Sequence, residues 1–264
     1  MNLFHDAVRD ARGHSHSAPL NKNSDHLRIL DVGTGTGRWA IKMAEKYVRC
    51  SEVWGIDVSP WQPERIPPNV KFQYMDIEEP WQGLGSESWD LVHVRCMYGA
   101  VTSWPQLYEN IWNCLIPGAG YIEHIEIDWQ PVIRTTPTGQ RKNCADVEPA
   151  LYHPLSVFPF WVRSFYDCMD AAKRPARVDS AATHAALYHA GFVDIREDTY
   201  LLPYNSGDSK ERFPRIFDDW IEGLSLRPFL ETTDSSFNLT VVDQMIIDSR
   251  HELATVQYPV FCTM

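Results

Sequence analysis

The sequence contains no long run of apolar residues, although 44% of its 264 residues are hydrophobic. A helix that crosses a membrane needs about 20 consecutive apolar residues, and no stretch here approaches that length. The first 28 residues also lack the apolar segment of a secretory signal. We therefore expect no association with a membrane and an intracellular location.

Positive charge and cysteine motifs are also scarce. The chain has 24 lysines and arginines against 35 aspartates and glutamates, a formal net charge of −11, so composition predicts no basic surface for a nucleic-acid backbone. The six cysteines include no C-x-x-C pair, and no group of histidines and acids has the spacing of metal ligands. We expect no direct binding of nucleic acid, no disulfide framework and no metal site.

The chain does contain a regular alternation of short apolar strands and helical segments. Residues 1–26 predict one short helix followed by a loop, and residues 27–264 predict an α/β domain. The five predicted strands are "LRILDVG", "EVWGIDV", "VKFQYMD", "WDLVHVR" and "GYIEHIEID", and helices are predicted in "RWAIKMAEKY", "WPQLYENIWNCLIPG" and "SAATHAALYHA". Such alternation is typical of βαβ units, which form a parallel sheet with helices on both faces.

A glycine-rich turn follows the first strand, in the segment "ILDVGTGTGRWA". A strand that leads through such a turn into a helix presents backbone N–H groups to a ligand. Arg38 occupies the place of a dinucleotide fold's third glycine, and no G-K-[ST] follows, which excludes a phosphate-binding P-loop. Asp31 would repel a pyrophosphate but attract an ammonium group. A tight turn without a ligand is the alternative interpretation.

Two further acids complete a pattern that fits S-adenosylmethionine, which carries an ammonium group, a positive sulfur, a ribose and an adenine. Asp57 lies 57 − 37 = 20 residues after Gly37, where an acid at the end of the second strand usually binds ribose hydroxyls. Asp76 is placed to accept from the adenine amino group while the backbone of Ile77 meets the ring edge. Asp57 could instead start a turn. The candidate cofactor-binding residues are Asp31, Gly33, Thr34, Gly35, Gly37, Asp57, Val58, Asp76, Ile77, Arg95 and Cys96.

These motifs resemble class I S-adenosylmethionine-dependent methyltransferases and, more narrowly, the fungal LaeA-like family. The resemblance covers most of residues 27–131 and weakens towards residue 230, and "SPWQP" and "SWPQLY" are more specific to the family than the glycine loop. It implies a Rossmann-like sheet of seven mostly parallel strands with helices on both faces. It also implies a regulator of secondary metabolism, in the nucleus or cytoplasm, that acts with velvet-type protein partners.

The chain departs from the family pattern at both ends. A Tyr-x-Leu-Pro segment, ahead of a helix that helps to cover the cofactor, is missing, and the chain stops at "YPVFCTM", where a last strand should end. We therefore expect a shortened form that holds its cofactor loosely. "GFVDIREDTYLL" and "VQYPVFCT" are the candidates for strands six and seven, and insertions at about 132–180 and 205–256 predict a helical cap.

Aromatic residues of these insertions are candidates for an acceptor pocket or for a protein-docking surface. Ordinary packing inside the cap is the alternative for the apolar face of "RFPRIFDDWIEGL" and for Phe158, Phe160, Trp161 and Tyr166. The substrate-pocket candidates are Tyr98, Trp104, Asp128, Trp129, Phe160, Trp161 and Trp220.

No catalytic base stands out in the sequence. Methyl transfer from a sulfonium depends mainly on orientation of the acceptor, and it needs a base only where the acceptor loses a proton. His124, Glu126 and Asp128 would share one face of strand five. The titratable candidates are His93 and Arg95 on strand four and Glu123, His124, Glu126 and Asp128 on strand five. A histidine inside a buried strand, such as His93, usually forms a core pair with a carboxylate.

Three functions are consistent with these observations. The first is a LaeA-like regulator that binds S-adenosylmethionine and methylates a protein or itself, with a velvet-type partner. The second is an O- or N-methyltransferase that acts on a small-molecule acceptor of a natural-product pathway. The third is a cofactor-binding module without transfer activity.

Overall fold

The computed structural model describes residues 2–21, 23–48, 52–134, 147–149, 156–205, 212–232, 236–256 and 259–264. In chain order the elements are α1 (Asn2–Arg12), β1 (Arg28–Val32), α2 (Arg38–Lys46), β2 (Glu52–Asp57), β3 (Val70–Tyr74), β4 (Leu91–Arg95), α3 (Trp104–Cys114), β5 (Tyr121–Ile125), β6 (Asp128–Arg134), β7 (Val147–Pro149), α4 (Val157–Ala171), α5 (Ser180–Ala190), β8 (Leu201–Pro203), α6 (Phe213–Leu230), α7 (Leu239–Thr255) and β9 (Val260–Thr263). The chain divides into two compact units. The first comprises Met1–Met97, Val101–Glu126 and Asp179–Arg196, and the second comprises Tyr98–Ala100, Ile127–Val178 and Glu197–Met264.

The first unit is built on a parallel sheet with the strand order β3-β2-β1-β4-β5. Successive residues of a strand point to opposite faces, and β1 divides its apolar residues accordingly. Ile29 packs in a cluster with Trp39 of α2, whereas Leu30 packs in a second cluster with Tyr108 of α3. The α/β class, the parallel sheet and the helices on both faces are therefore confirmed.

Local capping sets the ends of two helices of this unit. The Asp179 side chain accepts a hydrogen bond from the backbone of Ala182 and so begins α5, which ends at Gly191 in the left-handed conformation (φ 107°). Ser103 caps α3 through the backbone of Gln106. Both helices lie in segments that the sequence predicts to be helical, because short-range interactions decide such boundaries.

The second unit contains a four-stranded antiparallel sheet in the order β7-β6-β9-β8, together with α4, α6 and α7. Four of the six apolar residues predicted to form one face of α6, including Phe213 and Phe217, are buried, which confirms core packing for that stripe. Residues 135–146, 150–155, 206–211 and 233–235 of the predicted insertions lie outside the described residues.

The sequence-based assignment of strands six and seven to the main sheet is wrong. Residues 191–200 form no strand, and β8 and β9 pair in the second sheet, so the parallel sheet has five strands among the described residues. The predicted fifth strand also ends early, at Ile125, and Asp128 begins β6 in the second sheet. The run "IEIDWQPVI" keeps its apolar alternation across this boundary, so the pattern alone does not reveal the change of sheet.

Candidate cofactor site

The glycine loop of residues 33–37 joins β1 to α2 in the first unit. Gly33, Gly35 and Gly37 all have left-handed backbones, with φ of 70°, 55° and 72°, a conformation that side chains with a Cβ rarely adopt. A Cβ at Gly33 would lie 2.1 Å from the Met97 sulfur, and one at Gly37 would lie 2.2 Å from the Phe72 ring. Gly37 is therefore required by packing against the Phe72 ring as well as by its backbone, whereas the flexible Met97 side chain could move away from a Cβ at Gly33.

Asp57 stands at the carboxyl end of β2, beside this loop. Its Oδ2 accepts a hydrogen bond of 2.8 Å from the backbone of Gly35, and its Oδ1 accepts one of 2.8 Å from the backbone of Ser59. A carboxylate has about four lone-pair sites, so both oxygens can accept further bonds from vicinal hydroxyls. The structure thus places Asp57, the predicted ribose-binding residue, against the glycine loop. Its neighbour Val58 is exposed.

Asp76 and Ile77 follow β3. Asp76 is exposed and its Oδ1 accepts from the backbone of Glu78 at 2.9 Å, so this acid starts a turn. Ile77 is buried, and its carbonyl accepts from the Trp81 indole at 3.0 Å. The proposed contacts of this pair with adenine remain a prediction.

Asp31 is buried beneath the loop and is bonded to protein on both oxygens. Its Oδ2 accepts from the Thr34 hydroxyl at 2.6 Å, and its Oδ1 lies 2.8 Å from Nδ1 of His93. The His93 ring stacks on Trp39 with 3.7 Å between ring centroids, and burial lowers the pKa of His93 despite its acid partner. His93 is therefore a core pair rather than an exposed base, and direct contact of Asp31 with an ammonium group remains a prediction.

The N-terminal helix α1 packs beside the same loop. Asp6 lies 3.3 Å from the guanidinium of Arg38, the first residue of α2. His5 lies 3.5 Å from the guanidinium of Arg95 at the end of β4, and burial together with the charge of Arg95 lowers the pKa of His5 to about 4. Helix α1 therefore lies against residues that flank the glycine loop.

Arg12, at the end of α1, anchors this helix to the sheet. Its guanidinium donates to Glu123 of β5, and the backbone of Ser17 donates to the same carboxylate oxygen at 3.0 Å. Burial raises the pKa of Glu123, but His93, Arg12 and Ser17 together outweigh burial and leave the pKa below its usual value. Glu123, a sequence-predicted candidate for a base, is thus engaged as a structural anion.

The carboxyl ends of β4 and β5 bring together a second polar group. Glu126 accepts from the backbone of Met97 at 2.7 Å and lies 3.0 Å from Nε2 of His124, whose Nδ1 lies 3.0 Å from the Tyr108 hydroxyl. The Trp104 ring stacks on His124 with 4.6 Å between centroids. His124 and Glu126 therefore meet as predicted, although Glu126 lies beyond the end of β5.

Cys96 immediately follows β4. Its φ of 54° is a left-handed backbone conformation in a residue other than glycine. Its N–H donates to Ile125 at 2.9 Å, and burial raises the pKa of its thiol, so the thiol stays protonated. Cys96 and Arg95 lie at the carboxyl edge of the sheet, as the sequence-based assignment requires.

Most of the substrate-pocket candidates fall in the second unit, where several belong to its core. Asp128 accepts from the Tyr166 hydroxyl at 2.7 Å, and that hydroxyl accepts from the backbone of Trp129 at 2.7 Å. Trp161 is fully buried and donates to the hydroxyl of Ser225 at 2.7 Å. Packing is therefore confirmed for Trp161 and Tyr166, as for the fully buried Phe158.

The remaining candidates are more accessible. Phe160 is 45% exposed, whereas Tyr98 and Trp220 are half-buried in the second unit and Trp104 is half-buried at the start of α3 in the first. Their predicted role in an acceptor pocket remains a prediction. No helix among the described residues is both long and apolar enough to cross a membrane, and no three metal-ligating side chains cluster there.

Comparison with known proteins identifies the family. The family described as "Methyltransferase domain" matches residues 8–170. The secondary metabolism regulator laeA of Fusarium oxysporum f. sp. lycopersici is 32% identical, with 100% of this chain aligned to 81% of that protein. The chain belongs to the LaeA-like group of methyltransferase-domain proteins. The cofactor of this methyltransferase family is S-adenosylmethionine.

Other LaeA-like relatives are longer than this chain. The secondary metabolism regulator LAE1 of Cochliobolus heterostrophus is 43% identical over 78% of this chain, which spans 62% of that protein. The protein-methionine methyltransferase laeA of Emericella nidulans is 34% identical over 87% of this chain and 58% of its own length. A chain of the Haloferax volcanii complex between the Trm112 methyltransferase activator and a methyltransferase shares the fold, with a TM-score of 0.53, 13% identity, and 99% and 91% coverage.

The residue that sequence reasoning missed in this site is Gln62. Its side-chain amide bonds the carbonyls of both Gly35 and Ser59. The segment "SPWQP", which contributes to the family resemblance, contains it and was the available signal, but the pattern did not reveal which atoms the glutamine would reach.

Proposed function

We propose that this chain is an S-adenosylmethionine-dependent methyltransferase whose acceptor is a methionine thioether of a protein, and that it acts as a regulator of secondary metabolism with a velvet-type protein partner in the nucleus or cytoplasm. The assignment of the cofactor rests on the hydrogen bond of 2.8 Å that the backbone N–H of Gly35, in the glycine loop, donates to Asp57. The relatives named as regulators and as a protein-methionine methyltransferase support the acceptor and the role.

The chain's own residues would hold the cofactor rather than activate it. Asp57 is fixed by two backbone N–H groups and offers its remaining lone pairs to the ribose hydroxyls. The left-handed glycine loop brings backbone close to the ligand without a side chain in between. When bound, S-adenosylmethionine supplies a methyl group on a sulfonium, which is already an activated electrophile.

A thioether acceptor suits a site in which no base was identified. A methionine sulfur has no proton to lose, so transfer forms a carbon–sulfur bond, breaks the one in the cofactor, and leaves a protein sulfonium and S-adenosylhomocysteine. His93 is buried against Asp31, and Glu123 is bonded to Arg12. The Met97 sulfur packs against Gly33, which makes Met97 a candidate for self-methylation.

Two measurements test the proposal. Calorimetry with a chelator present should detect binding of S-adenosylhomocysteine without added metal, and no heat at millimolar ligand would contradict the cofactor assignment. Radiolabelled methyl transfer should then label a velvet-type protein or the chain itself, and the label should appear on a methionine in peptide mass spectra. Label on oxygen or nitrogen of a small molecule from the source extract would instead support the small-molecule function, and binding without label on any acceptor would support a non-catalytic module.

A further inference from the structure

At the cofactor site, the side chains of Asp57 and Gln62 each form hydrogen bonds with the backbone of the same two residues, Gly35 and Ser59. Asp57 accepts from the N–H of Gly35 and from the N–H of Ser59, both at 2.8 Å. The Nε2 of Gln62 donates to the carbonyl of Gly35 at 2.7 Å and to the carbonyl of Ser59 at 2.8 Å. We call these four residues the loop clamp, because they join the glycine loop to the turn after β2.

We propose that Gln62 is a positioning residue for cofactor binding, acting through the loop clamp; this rests on the proposed function. Gln62 fixes Gly35 and Ser59, and these two residues in turn hold the carboxylate of Asp57. The clamp thus sets the relation between the ribose-binding acid and the loop that approaches the ligand. Gln62 itself need not contact the cofactor.

The chemistry of the clamp requires an amide. Both atoms that face Nε2 are carbonyl oxygens, and the side-chain NH₂ of glutamine has two hydrogens, one for each acceptor. Alanine would leave both carbonyls to solvent. Glutamate has nearly the same shape, but it would place a carboxylate against two carbonyl oxygens and near Asp57.

The clamp matters because it bonds both the N–H and the carbonyl of a glycine in the loop. Its φ is 55°, and glycine has the largest backbone freedom of any residue. A loop that is ordered before the ligand arrives loses less conformational freedom on binding, which increases affinity. Loss of the clamp should therefore weaken binding more than it weakens the fold, since Gln62 is only half-buried.

The order of the variants distinguishes a hydrogen-bonding role from packing. We expect Gln62→Ala to bind S-adenosylhomocysteine about tenfold more weakly and Gln62→Glu more weakly still, because two donors are replaced by a negative charge. If Gln62 acted by packing alone, Gln62→Glu would bind more tightly than Gln62→Ala, since glutamate fills the same space as glutamine. Gln106, whose amide bonds Glu109 and Asn110 on the exposed face of α3, is the matched control, and Gln106→Ala and Gln106→Glu should bind as the wild type does.

Hydrogen exchange in the ligand-free protein tests the clamp separately from the proposed function. The N–H groups of Gly35 and Ser59 should exchange faster in Gln62→Ala, while amides of β4 and the melting temperature stay near wild type. If the wild type fails to bind S-adenosylhomocysteine, the proposed function is contradicted and the exchange data still decide the clamp. Unchanged exchange at both amides, or binding by Gln62→Glu as tight as by the wild type, would overturn the inference.

Discussion

At the scale of single residues, substitution of Asp57 should weaken cofactor binding and leave the fold intact. It is placed to bind the ribose, and it holds the N–H groups of Gly35 and Ser59. We expect Asp57→Ala to weaken binding of S-adenosylmethionine by about 2–4 kcal/mol, because charge-assisted hydrogen bonds to the ligand are lost. Calorimetry measures the loss, and the melting temperature checks that the sheet survives.

Asp57→Asn is the graded control for that prediction. It keeps one side-chain oxygen, so its affinity should fall between those of the wild type and Asp57→Ala. A change of less than about threefold in Asp57→Ala, roughly 0.7 kcal/mol, would contradict the ribose-binding role and leave Asp57 as a turn-forming acid.

At the scale of elements, one buried ion pair joins α1 to β5. The side chains of Arg12 and Glu123 are only 6% and 9% exposed. Arg12→Ala would leave the Glu123 carboxylate buried without its cation, and such a change typically costs about 3–5 kcal/mol. We expect urea unfolding to show a loss of that size and cofactor affinity to fall as well, because α1 also contacts Arg38 and Arg95.

Two further variants test whether the loss of stability comes from the buried ion pair. Arg12→Ala combined with Glu123→Gln removes both charges and should recover part of the stability lost in the single variant. Arg9→Ala removes an arginine of α1 that is 40% exposed and should change stability little. If Arg12→Ala unfolds at the same urea concentration as the wild type, α1 is not anchored by this pair.

At the scale of the whole molecule, buried histidines should make the protein sensitive to mild acid. The pKa of His5 is lowered from 6.5 to about 4 by burial and by Arg95, and the pKa of His93 is lowered by burial. Below pH 6.5 the unfolded chain therefore binds protons that the folded chain does not, so stability falls as the pH falls. We expect the calorimetric melting temperature to decrease steadily from pH 6.5 to pH 4.

Replacement of one of these histidines should reduce that slope. His5→Asn removes a group that takes up a proton on unfolding, whereas His251→Asn alters an exposed position of α7 and serves as the matched control. A melting temperature that is constant from pH 6.5 to pH 4 in the wild type would show that neither buried histidine is linked to folding.

The sequence by itself determined the features that depend on neighbours along the chain. The five strands of the parallel sheet, the glycine loop and helices α2, α3, α5 and α6 lie in the segments that the sequence predicts, although β5 ends earlier, at Ile125. Strand alternation, helical spacing, caps and left-handed glycines are short-range effects, and they remain legible without a structure. Placement of Asp57 beside the glycine loop also followed, since the carboxyl ends of adjacent parallel strands share one edge of a sheet.

Only the tertiary structure decided which distant groups meet. Strands β8 and β9 pair in the second sheet. The sequence did not reveal this pairing, because a period of two defines the faces of a strand but not its partner. Arg12 reaches Glu123 across 111 residues, and Gln62 reaches Gly35 across 27. Such contacts depend on the direction in which loops and helices return to the sheet, and no local pattern encodes that direction. The main sheet and its cofactor loop could therefore be predicted, whereas the residues that hold them in place could not.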